Sequence, residues 1–251
     1  MNRITALIAV LVLAAMAEGS TARQSTLTTS NQTLVNKYVE ALKSAENGGS
    51  SGKIEAAYVA LTAVRDALTR RQNRNGDTPL SSLSDVEFER TVNQLRGAIV
   101  NRDEIIVIAP DPKFFASLAD SHGDAGDRAY FKALRQTYPV SIWPAYVEDQ
   151  TDVTDCTVFG EGKLIVAYRT WSEFRRLYPK RYVAAAGKEL QNVVWRFTEE
   201  NCACADAASM QREFEQFLSS FPNSPIHAKV KNRLATVSGK RYDAQRGCIH
   251  G

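Results

Sequence analysis

Three times in its C-terminal half the chain sets a large apolar residue, three spacers, an aromatic residue and a proline in a row. The copies are Leu134 to Tyr138-Pro139, Phe174 to Tyr178-Pro179 and Phe217 to Phe221-Pro222. Proline drives the residue before it out of the helical region, so each step ends a helix and leaves a ring to plug the junction. The prolines stand 40 and 43 residues apart. A fixed period of about 20–50 residues marks helix-pair repeats, because each pair buries its apolar face only against the next. The fold class expected is mainly α, made of stacked antiparallel helical hairpins.

The last two copies repeat in detail. A shift of 44 residues lays Tyr182 on Ile226, Leu190 on Leu234 and Val193 on Val237. Leu190 and Leu234 are therefore expected in matching buried positions, with Pro179 and Pro222 each lying between two helices. The stretch 214–234, with Phe217, Phe221-Pro222-Asn223-Ser224-Pro225, Ala228 and Leu234, resembles the helix junction of tetratricopeptide-type repeats in bacterial envelope proteins. That resemblance covers 174–237 and implies TPR-like hairpins serving protein binding. The spacings of 40 and 43 exceed that family's usual repeat of about 34 residues.

Apolar periodicity near 3.6 residues predicts further helices at 31–46 and 53–72, separated by a Gly/Ser-rich turn. A capping box at Ser84-Asp85-Val86-Glu87 predicts a helix with Val86, Val92, Leu95 and Ile99 on one face. Asp111-Pro112 suits the start of a helix running to Leu118. Later helices are expected at 125–137, 163–178, 181–200, 207–220 and 225–237. One short strand or irregular segment is expected near 104–108 and another near 155–162.

The N-terminus predicts the compartment. Met1-Asn2-Arg3 gives a basic start, 4–17 carries no charge, and Ala15-Met16-Ala17 is an A-x-A site. This is the pattern of a secretory signal peptide at 1–17, and its apolar run is shorter than the roughly 20 residues of a membrane span. A disordered lead-in is expected at 18–30, an N-terminal helical region at 31–120 and a C-terminal helical-repeat region at 121–251. Without Arg3, 30 Lys and Arg stand against 28 Asp and Glu. From Pro225 onward Lys229, Lys231, Arg233, Lys240, Arg241 and Arg246 face one acid, Asp243. No aromatics interleave with these cations as in nucleic-acid grooves. The expected partner is a protein or an envelope polymer in the periplasm, with no nucleic acid and no membrane span.

Four cysteines in an exported chain point to disulfides. A bond between Cys202 and Cys204 would strain disulfide geometry, so Cys156 and Cys248 are expected to pair with Cys202 and Cys204, in either order. The rival reading is a soft metal on Cys202, Cys204, Cys248 and His250, which would strand Cys156 as an odd thiol. No metal and no cofactor is assigned.

Two polar stretches offer chemistry. In 120–127, His122 stands among Asp120, Asp124 and Asp127, a setting for a general base or metal ligand, or simply for a loop and a helix start. In 141–155, Trp143 and Tyr146 precede Glu148, Asp149, Asp152 and Asp155. Acids beside aromatics suit carbohydrate, and the same residues suit packing anchors with a wet rim. Binding is therefore assigned to Trp143, Tyr146, Glu148 and Asp149, with His122, Glu148 and Asp152 as candidates for catalysis. No Ser-centred elbow, phosphate loop, H-E-x-x-H or dinucleotide fingerprint occurs. The function expected is an exported helical-repeat binding or scaffolding protein of the bacterial envelope; the alternative is a periplasmic hydrolase of envelope glycan.

Overall fold

Four helix pairs, each joined by a short turn, carry the fold. In the computed structural model, which describes residues 26–48, 52–72, 76–103, 105–140, 142–151, 154–239, 242–244 and 248, α1 (Thr29–Glu46) packs on α2 (Lys53–Leu68) and α4 (Pro112–His122) on α5 (Ala125–Thr137). Further on, α6 (Lys163–Leu177) packs on α7 (Val183–Thr198) and α8 (Ala207–Ser220) on α9 (His227–Val237). The pairs stack through α1 and α2 on α4, α5 on α6, α6 on α8, and α7 on α9. The chain is mainly α, as its periodicity predicts. The expected signal peptide and the lead-in up to residue 25 lie outside the described residues, and α1 already begins at Thr29. The expected boundary at 120/121 falls within the last turn of α4, inside the α4–α5 pair.

Between the first two pairs lie α3 (Asp85–Gln94) and a two-stranded antiparallel sheet of β1 (Ala98–Asn101) and β2 (Val107–Pro110), with Val100 opposite Ile108. A second such sheet, β3 (Val147–Thr151) and β4 (Thr154–Thr157), sets Glu148 opposite Cys156. Four short strands thus stand where one or two were expected. The helix expected to carry Val86 through Ile99 stops at Gln94, with Leu95 as its cap. Gly97 adopts φ +84°, and a Cβ there would lie 2.4 Å from the Phe114 ring. The chain turns at this glycine and delivers Ile99 to β1.

All three aromatic-proline steps end their helices alike. Tyr138, Tyr178 and Phe221 cap α5, α6 and α8 at (φ, ψ) of (−121°, 73°), (−127°, 60°) and (−131°, 60°), off the helical basin as a following proline requires. Beyond the prolines the three copies diverge. Pro179 and Pro222 lie in the turns inside α6–α7 and α8–α9, whereas the chain after Pro139 runs into β3. The first copy is therefore a helix stop at the end of a pair and not a third equivalent junction. In α7 the inward stripe is Tyr182, Ala186, Glu189 and Val193, and a shift of 44 residues gives Ile226, Val230, Arg233 and Val237 in α9. Leu190 and Leu234 occupy matching positions, but half-buried ones. Glu189 and Arg233, one residue earlier, are each 9% exposed. The same phase makes Arg233 part of the interior, over the Phe214 ring and donating to the Arg196 carbonyl, and not part of a solvated basic face.

Charged groups close the joints. Arg181 and Tyr182, in the α6–α7 turn, hold Glu55 of α2 together with Asp124 and Asp127 of the α5 start. Glu213 of α8, fully buried, accepts from the backbone N–H groups of Gly160, Gly162 and Ile165 and so caps α6 from a neighbouring hairpin. Arg196 of α7 pairs with Asp155 of β4 at 2.6 Å and with Glu200 at 2.8 Å. Two disulfides, Cys156–Cys204 and Cys202–Cys248, fasten β4 and the C-terminal segment to the loop before α8. They close separations of 48 and 46 residues, which in the chain-entropy account stabilises the fold by about 3–4 kcal/mol each. With every cysteine oxidised, the thiolate metal set is gone; His250 lies outside the described residues.

The tryptophans of α6 and α7 divide sharply. Trp171 is fully buried, donates to Thr137 Oγ1 at 3.0 Å, and lies against Tyr130 and Phe174. Trp195 is 46% exposed, because its position on α7 lies outside the inward stripe. Trp171→Ala is expected to cost about 3–5 kcal/mol of stability, and Trp195→Ala less than about 1 kcal/mol. Urea unfolding of the two variants checks this; equal losses would contradict the assignment.

Candidate functional site

The Tyr138-Pro139 step sends the chain away from α5, and two hydrogen bonds fold it back. The Ala145 N–H donates to the Thr137 carbonyl at 2.7 Å, and the Val147 N–H to that of Pro144 at 2.8 Å. Ile142 and Trp143 are thereby laid opposite β2. Between them lies a cleft of about 340 Å³, at the low end of the size of small-ligand sites. Ile106 and Ile108 line one wall, Ile142 and Trp143 another, and Leu134, Tyr138, Tyr58 and Arg65 complete it. Glu189 reaches it from α7.

Glu189 is the unusual group. Its side chain is 9% exposed, and its Oε2 accepts from the Tyr138 hydroxyl at 3.0 Å. Burial pushes its carboxyl up to about 7, against the hydrogen bond from Tyr138, which favours the ionised form. The surrounding phenols belong to the same low-dielectric pocket: burial raises Tyr58 to about 12, and it raises Tyr138 well above its ordinary value. Near neutrality the cleft is thus an apolar slot whose inner carboxyl exchanges a proton, with a guanidinium on Arg65 among its lining groups.

The residues singled out in the sequence scatter. Trp143 lines the cleft. Tyr146 is buried at 1% exposure, and its ring serves the core. Glu148 is exposed on β3, and Asp149 is on the same strand. Asp152 lies outside the described residues. His122 closes α4 beside the α1–α2 turn, where a Cβ on Gly48 would lie 3.3 Å from its Nδ1. Neither His122 nor Glu148 lines the cleft. The acids around His122 serve the fold: Asp124 and Asp127 form the capping box of α5, and both bind Arg181. Asp155 is held by Arg196.

Sequence reasoning misses Tyr58, Arg65 and Glu189 as site residues. Glu189 does leave a trace in the sequence. It stands three residues after Ala186 and four before Val193, so a carboxylate sits on the apolar stripe of its helix. That marks a buried charge but not the cleft, whose walls come from segments far apart in the chain. No protein-family model matches this chain, and no curated protein or solved structure matches it either.

The raised Glu189 value sets a pH dependence of stability. The folded state holds this proton more tightly than the unfolded chain, where the ordinary value is 4.5. Its stabilising contribution is therefore complete below about pH 4.5, declines as pH rises, and is lost above about 7, a change of roughly 3 kcal/mol at most. Glu189→Gln keeps an acceptor for Tyr138 and removes the titration. Unfolding free energies from pH 4 to 8 should show the wild type losing stability relative to the variant over that window; parallel curves would contradict the buried carboxyl.

Proposed function

We propose that this chain is an exported, disulfide-stapled binding module of TPR-like helical hairpins in the bacterial envelope, and that the cleft between β2 and Trp143 is its ligand seat. The cleft carries this reading. It is concave, predominantly apolar, and has few polar groups at fixed positions, the usual build of a recognition site. One further observation supports export without bearing on any ligand's identity. Two disulfides suit an oxidising compartment. Among the described residues no helix is long and apolar enough to cross a membrane. The hydrolase alternative needs carboxylates flanking one scissile bond, and of its candidates Glu148 is exposed on β3 while His122 ends α4.

Ile142 lines the cleft without belonging to the core, so Ile142→Asp places a charge in the seat while sparing the interior. Immobilised mature protein and this variant, with matching melting temperatures, should be exposed to envelope extract and their retained material compared by mass spectrometry. The expected result is a species held by the wild type and lost from the variant. Identical retention would overturn the assignment of the cleft, and glycan hydrolysis abolished by Glu148→Gln would establish the alternative.

A further inference from the structure

The cleft opens beside a second depression of opposite chemistry. Tyr138 lines both the cleft and an open groove of about 540 Å³ along α4 and α5. Chain neighbours divide between the two: Pro112 and Leu134 line the cleft, Lys113 and Arg135 the groove. The depressions therefore adjoin at Tyr138, the cleft on the inner side and the groove on the outer side of α4 and α5. Lys113 comes from α4, and Arg128, Lys132 and Arg135 come from α5 at spacings of four and three, which a helix turns into one stripe. All four are exposed, and among the described residues none forms an ion pair. Asp120 is the one acid lining the groove. In a chain whose net charge is only +3, four cations free of ion pairs beside an apolar opening form a local field that attracts anions.

Resting on the cleft as ligand seat, we propose that this junction binds a single-chain anionic amphiphile, a free fatty carboxylate, with its alkyl chain in the cleft against Ile106, Ile142 and Trp143 and its head on Lys132 and Arg135. Neither depression alone specifies such a ligand, since an apolar slot accepts many tails and a cationic stripe many anions. Their meeting at Tyr138 does. Two observations fix the orientation: Glu189 is an acidic group inside the cleft, and Arg65, the cation lining it, is already paired with Asp66, whereas the groove supplies cations that no acid of the described chain has claimed. Each methylene removed from water is worth roughly a fourfold gain in affinity, so the tail supplies most of the binding and the head the selectivity.

The test is a titration of the mature protein with monomeric dodecanoate at pH 7.5, read by tryptophan fluorescence, with Trp143→Phe identifying the signal from the cleft. One saturable site is expected. Undecyl maltoside, which has the same eleven-carbon tail and a neutral head, should bind about tenfold more weakly, the usual worth of a charge-assisted pair. Lys132→Gln combined with Arg135→Gln should abolish that preference while leaving undecyl maltoside binding unchanged, and Ile142→Asp should lose both ligands. The proposal is overturned by absence of saturation, by equal affinity for the two amphiphiles, by a preference that survives the double variant, or by binding to anionic vesicles without binding to the monomer. Should dodecanoate fail while Ile142→Asp still loses the species retained from envelope extract, the cleft stands as a seat and only the amphiphile falls. Should Ile142→Asp change neither, both fall.

Discussion

Arg181 and Tyr182 bind together parts of the chain that are more than 120 residues apart in sequence, as Glu55 shows by accepting from both residues' N–H groups. The Arg181 Nη2 group lies 2.5 Å from Asp127 Oδ1, its Nη1 pairs with Asp124, and the Tyr182 hydroxyl donates to the same Asp127 oxygen at 2.7 Å. Asp127 is almost fully buried, so its charge is tolerable only with these partners. Tyr182 adopts φ 48°, the only non-glycine residue described with positive φ. Left-handed backbone costs roughly 1–2 kcal/mol for a residue with a Cβ, and here the ring stacked on Tyr130 at 3.8 Å and the two hydrogen bonds offset it. The equivalent residue of the next hairpin, Ile226, has φ −98° and no such clasp.

The position of that clasp explains why a cleft exists at all. One wall is α2 with the β1–β2 sheet, another is the end of α5 with Trp143, and Glu189 comes from α7. Glu55, Asp127 and Tyr182 belong to α2, α5 and the start of α7, the same three elements. Tyr58, Phe131 and Tyr182 meet edge to face within 5.5–5.9 Å of one another, so the clasp sits on an aromatic cluster that keeps the elements apart by a fixed distance. Tyr58 belongs both to this cluster and to the cleft lining, so the interior sets that wall, whereas Ile142 lines the cleft from outside the core.

Helices and their ends are legible in the sequence because they depend on local rules. The expected 125–137 and 207–220 coincide with α5 and α8, set by Asp caps at one end and aromatic-proline steps at the other. Geometry narrows the disulfide partners to two pairings, and only the folded chain selects Cys156–Cys204 and Cys202–Cys248. The failures are equally physical. Periodicity carries the α3 face through to Ile99, whereas the folded chain turns at Gly97 against Phe114, a contact no local pattern encodes. Hydrophobicity ranks Leu190 as the inward residue and passes over Glu189, whereas the helix phase, fixed by Ala186 and Val193, turns the carboxylate inward. Asp124, Asp127 and Asp155 read as chemistry because a sequence does not show their cationic partners; Arg181 and Arg196 lie 41–57 residues away from them.

The Arg181–Asp127 pair joins α5 to the α6–α7 turn at the centre of the clasp. A double-mutant cycle with Arg181→Met, Asp127→Asn and the two combined, read as unfolding free energy in urea, measures the coupling across it directly. The expected interaction energy is about 1–3 kcal/mol, with each single variant strongly destabilised and the second substitution adding little. Additive losses, with a coupling near zero, would show that the two side chains act independently and that the cleft owes its shape to packing alone.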